Sequence, residues 1–220
     1  MATSWKWQPQ SLNLSSQTFF WLTQTATAPW AAFTGLFFLL LLGFLLKLKT
    51  NKQWISLVLV IGFSVLVGQG IKSTIKTMTA ESRPFVLWIE EKYSVDDEYF
   101  YSLPRAERKA LIEQYIYQSP DVPNWLYKHW CNETGYAFPS GHVLFSTTLA
   151  FIALLFLNYR RYYGVIALFV IWAILVEISR LVLGMHHPID VVLGAFIAWI
   201  LSLSAFLVAS KLQLLDRDYS

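Results

Sequence analysis

Three short stretches hold residues whose types and spacing could do chemistry on an anion. They are Lys76 and Arg83 in "KTMTAESRP", Ser140, Gly141 and His142 in "FPSGH", and Arg180, His186 and Asp190 in "SRLVLGMHHPID". The lysine and the two arginines bring positive charge, and arginine presents planar pairs of donors that match phosphate oxygens. In "FPSGH" small residues precede an apolar run that begins near Val143. Ser140 can cap a helix there, Gly141 lets the backbone come close, and the free N–H groups of the first turn can point at an anion. In "HHPID", Pro188 suits a first helical turn, which puts His186 just ahead of that helix and Asp190 inside it. A carboxylate four residues after a histidine can hold one ring nitrogen and free the other to act as base or nucleophile.

Each of these residues also has a plainer reading. A boundary lysine such as Lys76 often reaches for the lipid headgroups, and Ser140 and Asp190 can do no more than cap helices. The histidines of "HH" can be interfacial residues or metal ligands. His187 stays with the interfacial class, and His129, near Trp125 and Trp130, has no evident partner. The plain readings fail together, because they give no reason for three cations, two histidines and a carboxylate to gather at one membrane boundary.

That boundary follows from the elements around the motifs. The chain of 220 residues is 55% hydrophobic and only 14% charged, too few charges to solvate a globule of this size. Five apolar runs, residues 30–46, 54–71, 143–157, 163–184 and 189–208, are each near the roughly 20 residues that a helix needs to cross a bilayer, and they are apolar all round. The expected fold is an all-α multi-pass transmembrane helix bundle with five visible spans. Lys47, Lys49 and Lys52 lie in one short connection, Arg160 and Arg161 in another, and Lys211 and Arg217 in the tail. By the positive-inside rule these three belong to the cytoplasm. The other ends of the spans then face outward with all three motifs, and residues 72–142 form an outer segment whose helical stretches, such as "PRAERKALIEQYIYQ", make a small extracytoplasmic helical cap. The whole chain, 1–220, is expected to be a single membrane domain.

Other classes are disfavoured. A net charge of +3 without a clustered basic patch makes nucleic acid an unlikely partner, and Cys131, the single cysteine, rules out an internal disulfide. No cleavable leader is visible in the first 29 residues. An odd span count with an outer amino terminus implies either a further helix ahead of Trp5 or an interfacial segment over residues 12–28, with Trp5 and Trp7 as aromatic anchors.

On these residues the chain resembles the type 2 phosphatidic acid phosphatase family, whose motifs are a lysine ahead of Arg-Pro, then Pro-Ser-Gly-His, then Ser-Arg followed by His and Asp. Here they read Lys76 with Arg83-Pro84, then Pro139 to His142, then Ser179-Arg180 with His186 and Asp190. The stretches "GQGIKSTIK", "SRPFVLWIEEKY", "ETGYAFPSGH" and "SRLVLGMHHPIDVV" resemble the bacterial phosphatidylglycerophosphatase B branch in particular. The resemblance implies a bundle of six helices, one more than is visible, in the bacterial cell (inner) membrane, with its active site facing the periplasm or exterior. It implies that His186 attacks phosphorus to form a phosphohistidine, that Asp190 orients it, and that His142 protonates the departing oxygen and later activates water. Lys76, Arg83, Arg180 and the N–H groups of Ser140 and Gly141 would hold the phosphate oxygens, with no metal and no cofactor. The partners are the bilayer and a lipid phosphate: phosphatidylglycerol phosphate, phosphatidic acid, lysophosphatidic acid or undecaprenyl pyrophosphate.

Glu177 stands three residues before Arg180 inside an apolar run and is expected to pair with that arginine. The rival reading is a lipid-phosphate transporter or flippase, which would need the cations but has no use for a His–Asp pair across from a second histidine. The same motifs resemble those of vanadium haloperoxidases, but those are soluble. A purely structural membrane protein gives the boundary charges no task.

Overall fold

The computed structural model describes residues 5–9, 12 and 16–215, and among them every regular element is a helix. Arg217, one of the tail cations, lies outside the described residues. The helices are α1 (Ser16–Gln24), α2 (Trp30–Leu45), α3 (Asn51–Thr79), α4 (Pro84–Tyr93), α5 (Asp97–Ser102), α6 (Arg105–Ile116), α7 (Asn124–Asn132), α8 (Gly141–Phe156), α9 (Tyr159–Val182) and α10 (Pro188–Lys211).

The five apolar runs fall on α2, α3, α8, α9 and α10. By length and composition Asn51–Tyr93, which takes in α3 and α4, Tyr159–Val182 and Pro188–Lys211 are sufficient to cross a membrane. Trp30–Leu45 and Gly141–Phe156 are shorter apolar helices. At 16 residues each they reach about 24 Å. Helix α8 is the bundle's central element: it packs on α10, α9, α3 and α2, and eleven of its residues are buried. Its neighbours α2, α3, α9 and α10 show large apolar side chains outward, among them Phe37, Leu59, Phe63, Ile171 and Phe196. Such a surface is what lipid requires and water would not tolerate.

Local signals set the helix ends. Thr50 caps α3 by accepting from the Gln53 N–H at 3.2 Å, and the Gln53 side chain accepts in return from the Thr50 N–H at 3.1 Å. Asn158 caps α9 by accepting from the Arg160 N–H at 3.0 Å. Tyr162 ties α9 to the end of α2 through Leu45 O at 3.2 Å. The connections with Lys47, Lys49, Lys52, Arg160 and Arg161 therefore lie at one end of the bundle.

At the other end α4 to α7 build a cap over a second core, in which Phe85 stacks on Trp130 with ring centroids 4.7 Å apart. Two indoles of this core tie the cap to the bundle. Trp7 Nε1 donates to Val182 O at 2.9 Å and Trp130 Nε1 to Leu183 O at 3.0 Å, which satisfies carbonyls left open at the end of α9. Trp7 is therefore a buried core residue and not an interfacial anchor. Trp5 is half-buried and meets the His187 ring edge to face. Within residues 12–28 the described structure is the nine-residue helix α1, too short to span and packed against α9.

After α9 the chain reverses on Gly184, whose φ of +69° is readily open only to glycine. A Cβ there would lie 2.8 Å from the Trp7 ring. Gly184→Ala is therefore strained twice, in dihedral and in contact, and is expected to cost about 1–3 kcal/mol. Thermal unfolding of the purified variant in detergent measures the loss.

Candidate active site

All three motifs arrive at the cap end, each on a helix terminus. Lys76 is in the last turn of α3, and its ammonium donates to the carbonyl of Tyr136. Arg83 precedes Pro84 at the start of α4, and its own N–H is taken by the Tyr101 hydroxyl at 3.1 Å. Ser140 caps α8, its hydroxyl accepting from the Val143 N–H at 3.4 Å. Gly141 opens that helix under the Lys72 side chain, whose Cδ would be 2.8 Å from a Cβ. Arg180 ends α9.

The turn after α9 places His186. The Arg180 carbonyl accepts from the N–H groups of Met185 at 3.0 Å and His186 at 3.3 Å. The histidine is thus folded back over the arginine that precedes it by six residues. Pro188 starts α10, and Asp190 in its first turn accepts from the His187 N–H at 2.8 Å. The same carboxylate oxygen lies 3.5 Å from His186 Nδ1. Asp190 is both a cap and the histidine's neighbour. His187 is turned away, its Nε2 3.0 Å from Ser82 O.

The centre of the site is Glu133, which the motif spacing did not single out. One oxygen, Oε2, accepts from Arg180 Nη2 at 2.7 Å and from Arg83 Nη1 at 3.2 Å. The other, Oε1, lies 3.6 Å from His129 Nε2 and 3.7 Å from His142 Nε2. Burial pushes this carboxyl up, but Arg180, His142, His129 and Arg83 outweigh it and hold the group well below the usual carboxylate range. Arg180, with no exposed surface, donates further to Thr23 Oγ1 at 2.9 Å and meets His129 Nε2 at 3.4 Å. Arg83 also donates from Nε to Gly135 O at 2.6 Å.

Two expectations from the sequence are corrected here. Glu177 does not pair with Arg180: it accepts from the Thr147 hydroxyl on α8 at 2.6 Å, while the arginine turns to Glu133. His129, without an evident partner in the sequence, is buried against Arg180 and Glu133, with Phe20 edge-on at 5.5 Å. Burial, with Arg180 and Arg83 nearby, lowers its pKa to about 4 against the opposing pull of Glu133, so the ring is neutral at physiological pH and can accept from the arginine. Thr23, Thr27 and Lys72 were missed as well. The available signal for Glu133 was its place in "ETGYAFPSGH", nine residues ahead of His142.

Burial, with Arg83, Arg180 and Lys76 facing it, keeps the His186 imidazole well below its usual range against the opposing pull of Glu133. It is a free base at neutral pH. Among the described residues, the buried side-chain nitrogens and oxygens without a hydrogen-bond partner are Glu133 Oε1, Arg180 Nε, His186 Nδ1 and Asp190 Oδ1. All four belong to this one site, where a ligand oxygen or a moved proton would complete them. Beside them a cavity of about 660 Å³ is lined by Thr27, Lys72, Arg105, Glu133 and His142, with apolar walls from Ala31, Val65 and Phe145. An anionic head fits beside the cations Lys72 and Arg105, and an acyl or prenyl chain against the apolar walls.

Comparison with known proteins agrees with this chemistry. The PAP2 superfamily profile matches residues 53–213. Phosphatidylglycerophosphatase B of Escherichia coli (strain K12) is 37% identical over 210 residues, which cover 96% of this chain and 82% of that protein. The protein of the same name from Haemophilus influenzae is 35% identical over 214 residues, covering 94% of this chain and 88% of that protein.

Removing Glu133 leaves two buried guanidiniums facing each other. Glu133→Ala is expected to destabilise the protein by about 3–5 kcal/mol, and inorganic phosphate to recover part of the loss by pairing the arginines in its place. Thermal unfolding with and without phosphate tests both statements.

Proposed function

The chain belongs to the PAP2 superfamily, and from that membership we propose that it is an integral membrane phosphatase of lipid phosphates that works through a phosphohistidine. The observation that carries the proposal is the meeting of His186–Asp190, His142, Arg83 and Arg180 at one end of an apolar bundle, beside a cavity whose walls turn from polar to apolar.

Asp190 faces Nδ1 of His186, so the other ring nitrogen is free to attack phosphorus. A P–N bond forms as the P–O bond to the lipid breaks, and His142 gives the leaving oxygen its proton. The same histidine, now a base, takes a proton from water, which cleaves the P–N bond and releases inorganic phosphate. Arg83, Arg180, Lys76 and the N–H groups at Ser140 and Gly141 surround the phosphoryl oxygens and offset their charge. The phosphate displaces the Glu133 carboxylate from the two arginines.

The cap and the site face the periplasm or exterior, and the chain is one membrane domain with residues 72–142 as its outer segment. Lys47, Lys49, Lys52, Arg160 and Arg161 support this orientation, since they lie at the opposite end of the bundle. The substrates are phosphatidylglycerol phosphate, phosphatidic acid, lysophosphatidic acid and undecaprenyl pyrophosphate. The first rests on the relatives' names. The others rest on a site that reads mainly phosphate and offers an apolar path to the chain. A bacterial inner membrane is the compartment in which these lipids meet the enzyme.

Purified protein given these four lipids in turn should release inorganic phosphate. His186→Ala should release none while keeping the wild-type unfolding midpoint within a few degrees. Movement of lipid without phosphate release would instead make the protein a carrier. His142→Ala should lose about 100-fold or more on alkyl esters and far less on p-nitrophenyl phosphate, whose departure needs no proton. Vanadate, a mimic of the five-coordinate phosphoryl group, should inhibit.

A further inference from the structure

Helix α1 and the turn after it lie ahead of residue 53, where the family match begins, yet two of their threonines reach the site. Thr23 is fully buried, and its hydroxyl accepts from Arg180 Nη1 at 2.9 Å. Its carbonyl accepts from the Thr27 hydroxyl at 3.0 Å. Thr27 Oγ1 in turn lies 2.8 Å from His142 Nε2. One connected chain of hydrogen bonds therefore runs from the histidine of "FPSGH" through both threonines to the arginine of "SRLVLG".

A hydroxyl has one hydrogen to give. With that hydrogen on the Thr23 carbonyl, the Thr27 oxygen can only accept at its contact with His142, and Nε2 must be the donor. Glu133 agrees, because its Oε1 can only accept, lies 3.7 Å from the same nitrogen and has no hydrogen-bond partner. Thr27, Glu133 and His142 all border the cavity. Nε2 is thus held, as an N–H, at the edge of the space where the lipid ester oxygen would arrive.

We propose that Thr27 is a positioning residue that fixes His142 with Nε2 as its proton-transferring nitrogen. The proposal rests on the reading of His142 as the acid. In the imidazolium both nitrogens carry hydrogen, and Nε2 donates to Thr27. The arriving ester oxygen takes the place of Thr27 on the Nε2 hydrogen, and as the P–O bond breaks it takes that hydrogen while Nδ1 keeps its own, so the ring becomes neutral. The Thr27 hydroxyl then turns from the Thr23 carbonyl to donate to the bare Nε2. It keeps the ring in the same place until the attacking water displaces it from the single Nε2 lone pair and gives that nitrogen a proton. Because the Thr23 carbonyl is the resting acceptor and the Thr23 hydroxyl anchors Arg180, α1 aligns the acid with the phosphate-binding arginine.

Thr27→Val removes the hydroxyl at nearly constant shape, and Thr27→Ser keeps it. With phosphatidic acid the valine variant is expected to lose about five- to tenfold in kcat, the worth of one oriented hydrogen bond. Its KM, its rate on p-nitrophenyl phosphate and the serine variant's rate should stay within about twofold of wild type. In a His142→Ala background, Thr27→Val should take nothing further from the phosphatidic acid rate. A full multiplicative loss in that background, or a serine variant as impaired as the valine one, overturns the proposal. If His142→Ala alone slowed alkyl and aryl esters equally, the reading of His142 as the acid would fail. The double variant would still decide whether Thr27 acts through His142.

Discussion

Two guanidiniums held out of water need an anion, and much of the architecture around the site answers that need. Arg180 has no exposed surface and Arg83 very little. A cation moved from water to a protein interior loses several kcal/mol of hydration that only a close, hydrogen-bonded partner returns. Glu133 is that partner for both. The arrangement has a chemical corollary: a pair of arginines already shaped around one carboxylate is shaped for the equatorial oxygens of a phosphate. The protein keeps these two charges together by supplying the anion itself.

Helix ends place everything else. An α-helix leaves its terminal N–H and C=O groups without internal partners, so a chain that brings several termini to one level creates a polar layer in an apolar body. Here the ends of α3 and α9 and the starts of α4, α8 and α10 meet beneath the cap. The open groups are taken up by residues of the candidate site itself. Ser140 caps α8, Asp190 caps α10 beside His186, and the Arg180 carbonyl receives the N–H groups of Met185 and His186. Capping therefore does not argue against the proposed chemistry of Ser140 and Asp190, since one geometry can satisfy the helix and aim the side chain.

The cap contributes in the same way. Trp7 and Trp130 close the carbonyls at the end of α9, and their rings belong to a core with Phe85 and Met185. The cap also carries His129 and, on the strand of chain leading into α8, Glu133. Displacing the cap would expose the arginines and remove their counter-ion together. The amino-terminal turn works from the other side, where Thr23 and Thr27 touch Arg180 and His142.

The sequence by itself determined the class of the molecule and which polar residues stand at the ends of its apolar runs. Apolar runs of this length are explained only by lipid, and Lys76, Arg83, Ser140, Gly141, His142, Arg180, His186 and Asp190 stand at run boundaries in spacings that survive unaided reading. Those features are local: hydropathy, a proline at the start of a helix, a carboxylate one turn after a histidine. Only the tertiary structure decided which charges meet. Glu177, three residues from Arg180, looks like its natural partner, yet the rotation of α9 turns it to Thr147. Glu133, 47 residues away, takes its place. His129, Thr23 and Thr27 likewise carry no mark in the sequence, because their roles are set by contacts across 51, 157 and 115 residues of chain. A pairing of charges buried in an apolar body is fixed by which helix faces touch, and that packing is a property of the whole bundle.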